Sequence, residues 1–232
     1  MPSTVTAYVI LKGHSERVPG KNFRSLGGRP LYRWVLDTLL SVAAIERVVL
    51  DTDVADRLRD AGLPEDPRLT LRRRPLRLCG DDVTANTLIA GALEDGALDS
   101  DTLMMTHPTN PFLSAGTLRA ALATFRRVRA DRSGDSVFTV TRHQTRFYRE
   151  DGSPVNHDST KLLPTQALEP WFEENSNLYL FDAESFEASG SRVGLRPVLY
   201  ETPQRESLDI DTPGDWAMAE VIAAQLGAES AQ

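Results

Sequence analysis

The chain has 232 residues with 26 basic against 33 acidic side chains, a formal net charge of −7, and a single cysteine. That length suits one large globular domain or two small ones, and the acidic balance excludes broad binding to nucleic acid or to an anionic membrane, both of which need a positive field. Cys79 has no partner for an internal disulfide and fits a reducing compartment, so a cytoplasmic setting is expected; the apolar stretch 7–11 is too short for a signal core, and no run approaches the roughly 18 apolar residues of a membrane span.

The segment 5–11 is short, β-branched and apolar and predicts a buried strand, and the polar, glycine-bearing stretch 12–28 predicts a loop. Pro30 opens a helix in which Leu31, Trp34, Val35, Thr38, Leu39 and Val42 fall at helical spacing, making Trp34 a core residue. A strand over 47–50 ending at Asp51-Thr52-Asp53 follows, then a helix over 56–61, a short strand over 69–71, a helix over 84–93 and a buried strand over 102–106. The Pro108-Thr109-Asn110-Pro111 turn breaks that strand, Ser114 caps a helix to about 128, and 136–140 is a further strand. Residues 142–172 interrupt the pattern while holding Phe147, Tyr148, Leu162, Leu163, Trp171 and Phe172, which suggests a lid or an oligomer arm within a single domain spanning 1–232. Strand character resumes at 177–181 and 198–201, and Thr212-Pro213-Gly214-Asp215 opens a last helix to about 226 with Trp216 in the core. Alternation of strand and helix predicts an α/β fold, a mostly parallel sheet with helices on both faces and ligands at the carboxyl ends of its strands.

Two constellations carry chemistry. The loop 12–22 follows a buried strand and supplies three cations (Lys12, Arg17 and Lys21), two glycines and the Ser15 hydroxyl, which suits a di- or triphosphate. It is no Walker A loop, since six residues separate Gly13 from Gly20 and Lys21 precedes Asn22, and a solvated loop with ordinary turn glycines explains its composition equally well. In the extended run 207–212, Asp209 and Asp211 would share a face while Ile210 turns inward, a pairing that suits Mg²⁺; the alternative is that Asp211 merely precedes a capped helix and Asp209 lies on the surface. Phosphate loop and paired carboxylates together are the minimal parts of phosphoryl or nucleotidyl transfer. His143 and His157 lack metal-ligand spacing and read as surface or interface groups, Cys79 as a packing residue, and Arg72-Arg73 as a solvated charge run.

The run 10–22, Ile-Leu-Lys-Gly-His-Ser-Glu-Arg-Val-Pro-Gly-Lys-Asn, resembles the opening signature of the acylneuraminate cytidylyltransferases, the CMP-sialic acid synthetase group. The resemblance continues in order through Leu26-Gly27-Gly28-Arg29-Pro30-Leu31, Asp51-Thr52-Asp53, Arg74-Pro75 with Asp81, His107-Pro108-Thr109-Asn110-Pro111, Glu174-Asn175 before Tyr179, and Asp209-Ile210-Asp211-Thr212. It implies a Rossmann-like nucleotidyltransferase fold of the nucleotide-diphospho-sugar transferase type, CTP as donor, Mg²⁺ as cofactor, a small anionic acceptor and a homodimer joined through 142–172. Carried over by position, Leu11, Lys12, Gly13, Ser15, Arg17, Lys21, Asn22, Arg74 and Asp81 would bind the nucleotide, with Arg74 reading cytosine. His107, Thr109, Gln166 and Asn175 would face the acceptor, Asp209 and Asp211 would bind the metal, and Lys12, Lys21 and Asp211 would be catalytic. The departures fall mostly on the acceptor side: His107 stands for a glutamine, Pro164-Thr165-Gln166-Ala167 for Arg-Arg-Gln-Asp, and Ser176 for a glycine, while in the loop Lys12 replaces an arginine, His14 a small residue and Glu16 a base. They imply CMP transfer to something other than an ordinary sialic acid, with a phosphonate acceptor or a catalytically silent nucleotide-binding homologue as the alternatives.

Overall fold

The computed structural model describes residues 4–161 and 163–230, so Leu162 of the expected insertion lies outside the described residues. The chain runs through β1 (Val5–Leu11), a small hairpin of β2 (Ser25–Leu26) and β3 (Arg29–Pro30), α1 (Leu31–Leu40), β4 (Arg47–Thr52), α2 (Ala55–Ala61), β5 (Leu69–Arg73), α3 (Ala85–Glu94) and β6 (Thr102–Thr106). It continues through α4 (Ala115–Ala130), β7 (Ser136–His143), β8 (Trp171–Phe181), α5 (Ala183–Ser189), β9 (Pro197–Glu201) and α6 (Pro213–Ser230).

Seven strands form one sheet in the order β5-β4-β1-β6-β8-β7-β9, parallel throughout except that β8 runs against both of its neighbours. β1 is buried along its length because successive side chains feed opposite cores. Val5, Ala7, Val9 and Leu11 join Tyr32, Val35, Leu36 and Leu39 of α1 and Leu118, Leu122 and Phe125 of α4, whereas Tyr8 and Ile10 join Leu88, Ile89 and Ala92 of α3 and Phe186 of α5. A third cluster around Trp34, Phe112, Ile210 and Trp216 seats α6 and the hairpin at one end, so both tryptophans read as core residues are buried there. Helix starts follow local chemistry: Thr84 and Ser114 accept from the N–H groups of Thr87 and Thr117, and Pro213 occupies the first position of α6.

Three expectations shift. α1 stops at Leu40, before Val42. β7 reaches His143 and β8 begins at Trp171, so the two strands extend as a paired arm and the intervening segment shrinks to 144–170. The first residues of β8 are exposed and carry no apolar alternation; backbone pairing with β7 holds them. α5 has no counterpart among the expected elements, and it starts from a reciprocal cap between Asp182 and Ser185.

The chain leaves β1 toward β4 and β5 on one side and returns to β6 on the other, so the strand order reverses between β1 and β6. That reversal opens a crevice at the carboxyl ends of these strands. No helix among the described residues is long and apolar enough to cross a membrane.

Candidate functional site

The loop after β1 is pinned on several sides. A Cβ on Gly13 would come within 2.2 Å of Val54 Cγ1, so only glycine lets the loop pass the end of β4, and the Gly13 N–H donates to Asp53 Oδ1 at 2.8 Å. Asn22 Nδ2 returns to the Lys12 carbonyl at 2.8 Å, and Gly20 takes φ +67°, the left-handed region that glycine adopts without strain. Lys21 is thereby drawn into a short 3₁₀ turn and buried.

A second segment meets the loop. Ile210 is fully buried and its N–H donates to the Thr109 carbonyl at 2.9 Å, which zips 208–211 against the turn after β6. Lys21 Nζ donates to the Ile210 carbonyl and to Asp211 Oδ1 at 3.1 Å, while Arg17 Nη2 lies 2.8 Å from Asp211 Oδ2. Two cations from the glycine loop thus converge on one carboxylate. Opposite, Lys12 Nζ donates to the Gly80 carbonyl at 3.3 Å and lies 3.8 Å from Asp81.

These groups line a cleft of about 450 Å³ at the β1/β6 reversal. Of the residues singled out in the sequence, Lys12, Ser15, Arg17, Lys21, Asn22, Asp81, His107, Thr109 and Asp211 all line it. His107 is half-buried at the head of β6; burial, with Arg192 and Lys21 nearby, pushes its pKa down to about 4 against the opposing pull of Asp211, so the imidazole is neutral near pH 7. Asp209 lies behind the cleft, hydrogen-bonded to Thr109; burial, reinforced by the Asp211 charge, raises its pKa.

The donor set bears on a metal. Among the described residues no group of three or more His, Cys, Asp or Glu side chains is arranged to hold one. An ion here would have two carboxylates at most and would take its other ligands from phosphate and water, the ordinary way Mg²⁺ is bound. Asp209 Oδ1 fits that role, being buried and without a hydrogen-bond partner among the described residues.

The remaining expected site residues lie elsewhere. Leu11 is a core side chain, and its carbonyl accepts from Arg74 Nη2 at 3.3 Å. Gly13 serves packing against Val54 and does not line the cleft. Arg74, expected to read a base, is buried and turned inward: its Nε is 2.6 Å from Asp51 Oδ1, and Nη2 donates to the Asp51 carbonyl at 3.2 Å. The cause is the period of two along β5 and the residue just past its end, which sends Arg72 and Arg74 together onto the fully buried Asp51 while Arg73 pairs with Asp56. Arg72 is therefore no solvated charge. Asn175 is also buried and spent on structure, donating to Thr202 Oγ1 at 2.7 Å and Thr141 Oγ1 at 3.3 Å. Gln166 is exposed in the 144–170 segment and does not line the cleft. His143 pairs with Glu173 at the surface, and His157 with Tyr148.

Several lining residues went unnoticed in the sequence. Ile10, Val83, Ala85 and Leu88 add apolar surface to the lining of the cleft. Ile10 shares the α3-facing side of β1, so strand alternation alone could have marked it.

A family model described as cytidylyltransferase matches residues 9–222. Over 231 aligned residues the chain is 27% identical to CMP-N,N'-diacetyllegionaminic acid synthase of Legionella pneumophila, covering 94% of this chain and 95% of that protein. It is 25% identical to N-acylneuraminate cytidylyltransferase B of Danio rerio, with 95% of this chain but only 52% of that one covered, so it spans about half of the fish protein. Among solved structures, CMP:2-keto-3-deoxy-manno-octonic acid synthetase in complex with CTP superimposes with a TM-score of 0.63 at 15% identity, over 98% of this chain and 100% of that one, a likeness of fold.

Proposed function

The chain belongs to the cytidylyltransferase family, and from that premise we propose that it transfers CMP from CTP to a hydroxyl of a small acidic sugar of the sialic-acid or ulosonic-acid kind, releasing pyrophosphate. The names of the legionaminate and neuraminate relatives support that acceptor class. The observation that carries the reading is the convergence of Arg17 and Lys21 on Asp211 inside the crevice where the strand order reverses.

In the free cleft the single Asp211 carboxylate offsets only part of the charge of the two cations; a triphosphate gives them charge-assisted partners of higher charge, and Lys12 and Ser15 complete the cradle. Asp209 and Asp211 would hold Mg²⁺, which neutralises charge developing on the phosphates. The acceptor hydroxyl attacks the α-phosphorus, the bond to pyrophosphate breaks, and the hydroxyl proton passes to the half-exposed Asp211 carboxylate. Neutral His107 and Thr109 hydrogen-bond the acceptor without adding charge. The apolar surface of Ile10, Val83 and Leu88 keeps water from part of the cleft.

The arm of β7 and β8 exposes Trp171 and Phe172, with Tyr148 and Leu163 exposed in the segment that follows β7, which supports its use as a homodimer contact. A cytoplasmic setting supplies the CTP. The test is pyrophosphate release with each nucleoside triphosphate across a panel of sialic, ulosonic and phosphonic acids, with sedimentation for the dimer. CTP with a carboxylated sugar is expected to be preferred; preference for ATP or GTP, or tight CTP binding with no turnover on any acid, would reject the reading.

A further inference from the structure

The cap that opens α6 reaches further than a cap needs to. Asp215 stands on the first turn of this helix, and its Oδ2 accepts from the Thr212 N–H at 2.7 Å and from the Thr212 hydroxyl at 2.9 Å. The Asp215 N–H donates back to Thr212 Oγ1 at 3.2 Å. In an ordinary reciprocal cap the exchange ends there. Here Asp215 Oδ2 also accepts, at 3.1 Å, from the N–H of Asp211, the residue before the cap and the carboxylate on which Arg17 and Lys21 converge. The other half of the same peptide unit, the Ile210 carbonyl, accepts from Lys21 Nζ. The peptide joining Ile210 to Asp211 is therefore held between a cation at its oxygen and an anion at its N–H, in the sense its dipole favours.

Asp215 is itself firmly seated. Trp216 beside it is buried in the third core, its backbone N–H donates to the Thr212 carbonyl at 3.1 Å, and the Arg24 guanidinium lies 4.1 Å from its ring centre. Burial works to raise the Asp215 pKa, yet the hydrogen bonds from Thr212 and Asp211 and the charge of Arg17 lower it on balance, so the carboxylate is ionised near pH 7 and its contacts are charge-assisted. The Asp211 side chain, by contrast, is partly open to the cleft, with one oxygen on Lys21 and the other on Arg17. Asp215 does not line the cleft, and it meets Asp211 at the backbone from which that carboxylate projects.

We infer that Asp215 is the positioning residue for Asp211: by taking its N–H, Asp215 sets the peptide plane from which the Asp211 carboxylate meets Mg²⁺ and the reacting hydroxyl. The inference rests on the cytidylyltransferase reading and adds to it the group that holds this carboxylate in place. A small displacement at the reacting centre is costly, since about 1 Å can lower a rate 100-fold.

The test measures pyrophosphate release at saturating CTP with the most active acid of the sialic, ulosonic and phosphonic panel, alongside calorimetric titration of CTP binding at stepped Mg²⁺ concentrations. Asp215→Ala is expected to lower kcat by roughly 10- to 100-fold and to raise the Mg²⁺ concentration for half-maximal CTP binding by about 10-fold, the scale of losses behind a metal ligand. Asp215→Asn, which keeps an acceptor oxygen without the charge, should show smaller changes in the same direction. Thr212→Ala is the control, because it removes the cap hydroxyl and leaves the Asp211 N–H on Asp215. It should lower the melting temperature by about 2–4 °C while kcat and the Mg²⁺ requirement stay at parental values. Parental kcat and Mg²⁺ requirement in Asp215→Ala, or in Asp215→Asn should Asp215→Ala not fold, overturn the inference and leave the transferase reading intact, as do equal losses of kcat in Asp215→Ala and Thr212→Ala. Failure of the unaltered protein to release pyrophosphate with any acid overturns both.

Discussion

Replacing Arg74 with methionine separates a residue that reads the nucleotide from one that holds the frame beneath it. Asp51 is fully buried, and its carboxylate takes Arg74 Nε at 2.6 Å, the Tyr8 hydroxyl at 2.9 Å and Arg72. Removing one partner of a buried ion pair costs about 3–5 kcal/mol, because the other charge is left uncompensated. Here Arg72 still neutralises Asp51, which pulls the cost toward the lower end, while the hydrogen bonds to the Leu11 and Asp51 carbonyls are lost as well. The expected loss is about 3 kcal/mol, or roughly 6–12 °C in melting temperature for a domain of this size. Since Arg74 does not line the cleft, the preference for CTP over UTP in pyrophosphate release should survive at temperatures where the variant is folded. A melting temperature within about 2 °C of the parent together with loss of base preference would refute the placement.

Gly13→Ala should destabilise by about 1–3 kcal/mol through overlap with both methyls of Val54, at 2.2 and 2.9 Å, and a second change, Val54→Ala, should recover most of that in denaturant midpoints; additive losses would show that the overlap is not the cause. His107 has a folded pKa of about 4 against 6.5 for the free side chain, so between those values the unfolded chain takes up a proton that the folded chain refuses. Stability is therefore full above about pH 6.5 and falls as pH drops toward 4, by up to about 3 kcal/mol. Chemical denaturation of His107→Gln should show a flatter loss over that window, and matching curves would remove the buried neutral imidazole from the account. Asp211→Asn should lower Mg²⁺-dependent turnover by about 100-fold or more while shifting melting only slightly, since the amide oxygen can still accept from Lys21; near-normal activity would end its proposed role.

Local signals carried most of the fold. The apolar run of β1, the caps at Thr84 and Ser114 and the proline opening α6 each act within a few residues and need no knowledge of the rest of the chain. The convergence of loop 12–22 with 209–211 was also readable, because each segment shows its chemistry alone and the buried Ile210 joins them. What failed depends on distant partners. Nothing near Arg74 in sequence announces that Asp51 will be sealed beneath it, and nothing near Asn175 announces Thr202. α5 escaped notice because its cap pairs Asp182 with a serine instead of the glutamate or glutamine of the familiar pattern.

The reversed direction of β8 has a further consequence. In a uniformly parallel sheet, the loops after two strands open at the same edge but return to the opposite one. Here β7 ends and β8 begins at the edge that bears the cleft, so the 144–170 segment is tethered there at both ends. Doubling such a tether costs only about 0.6 kcal/mol in closure entropy, and none of its described residues belongs to the three packed cores. The segment can therefore be lengthened, shortened or rewritten as a replaceable cassette, changing what approaches the cleft while the sheet that fixes the phosphate loop keeps its stability.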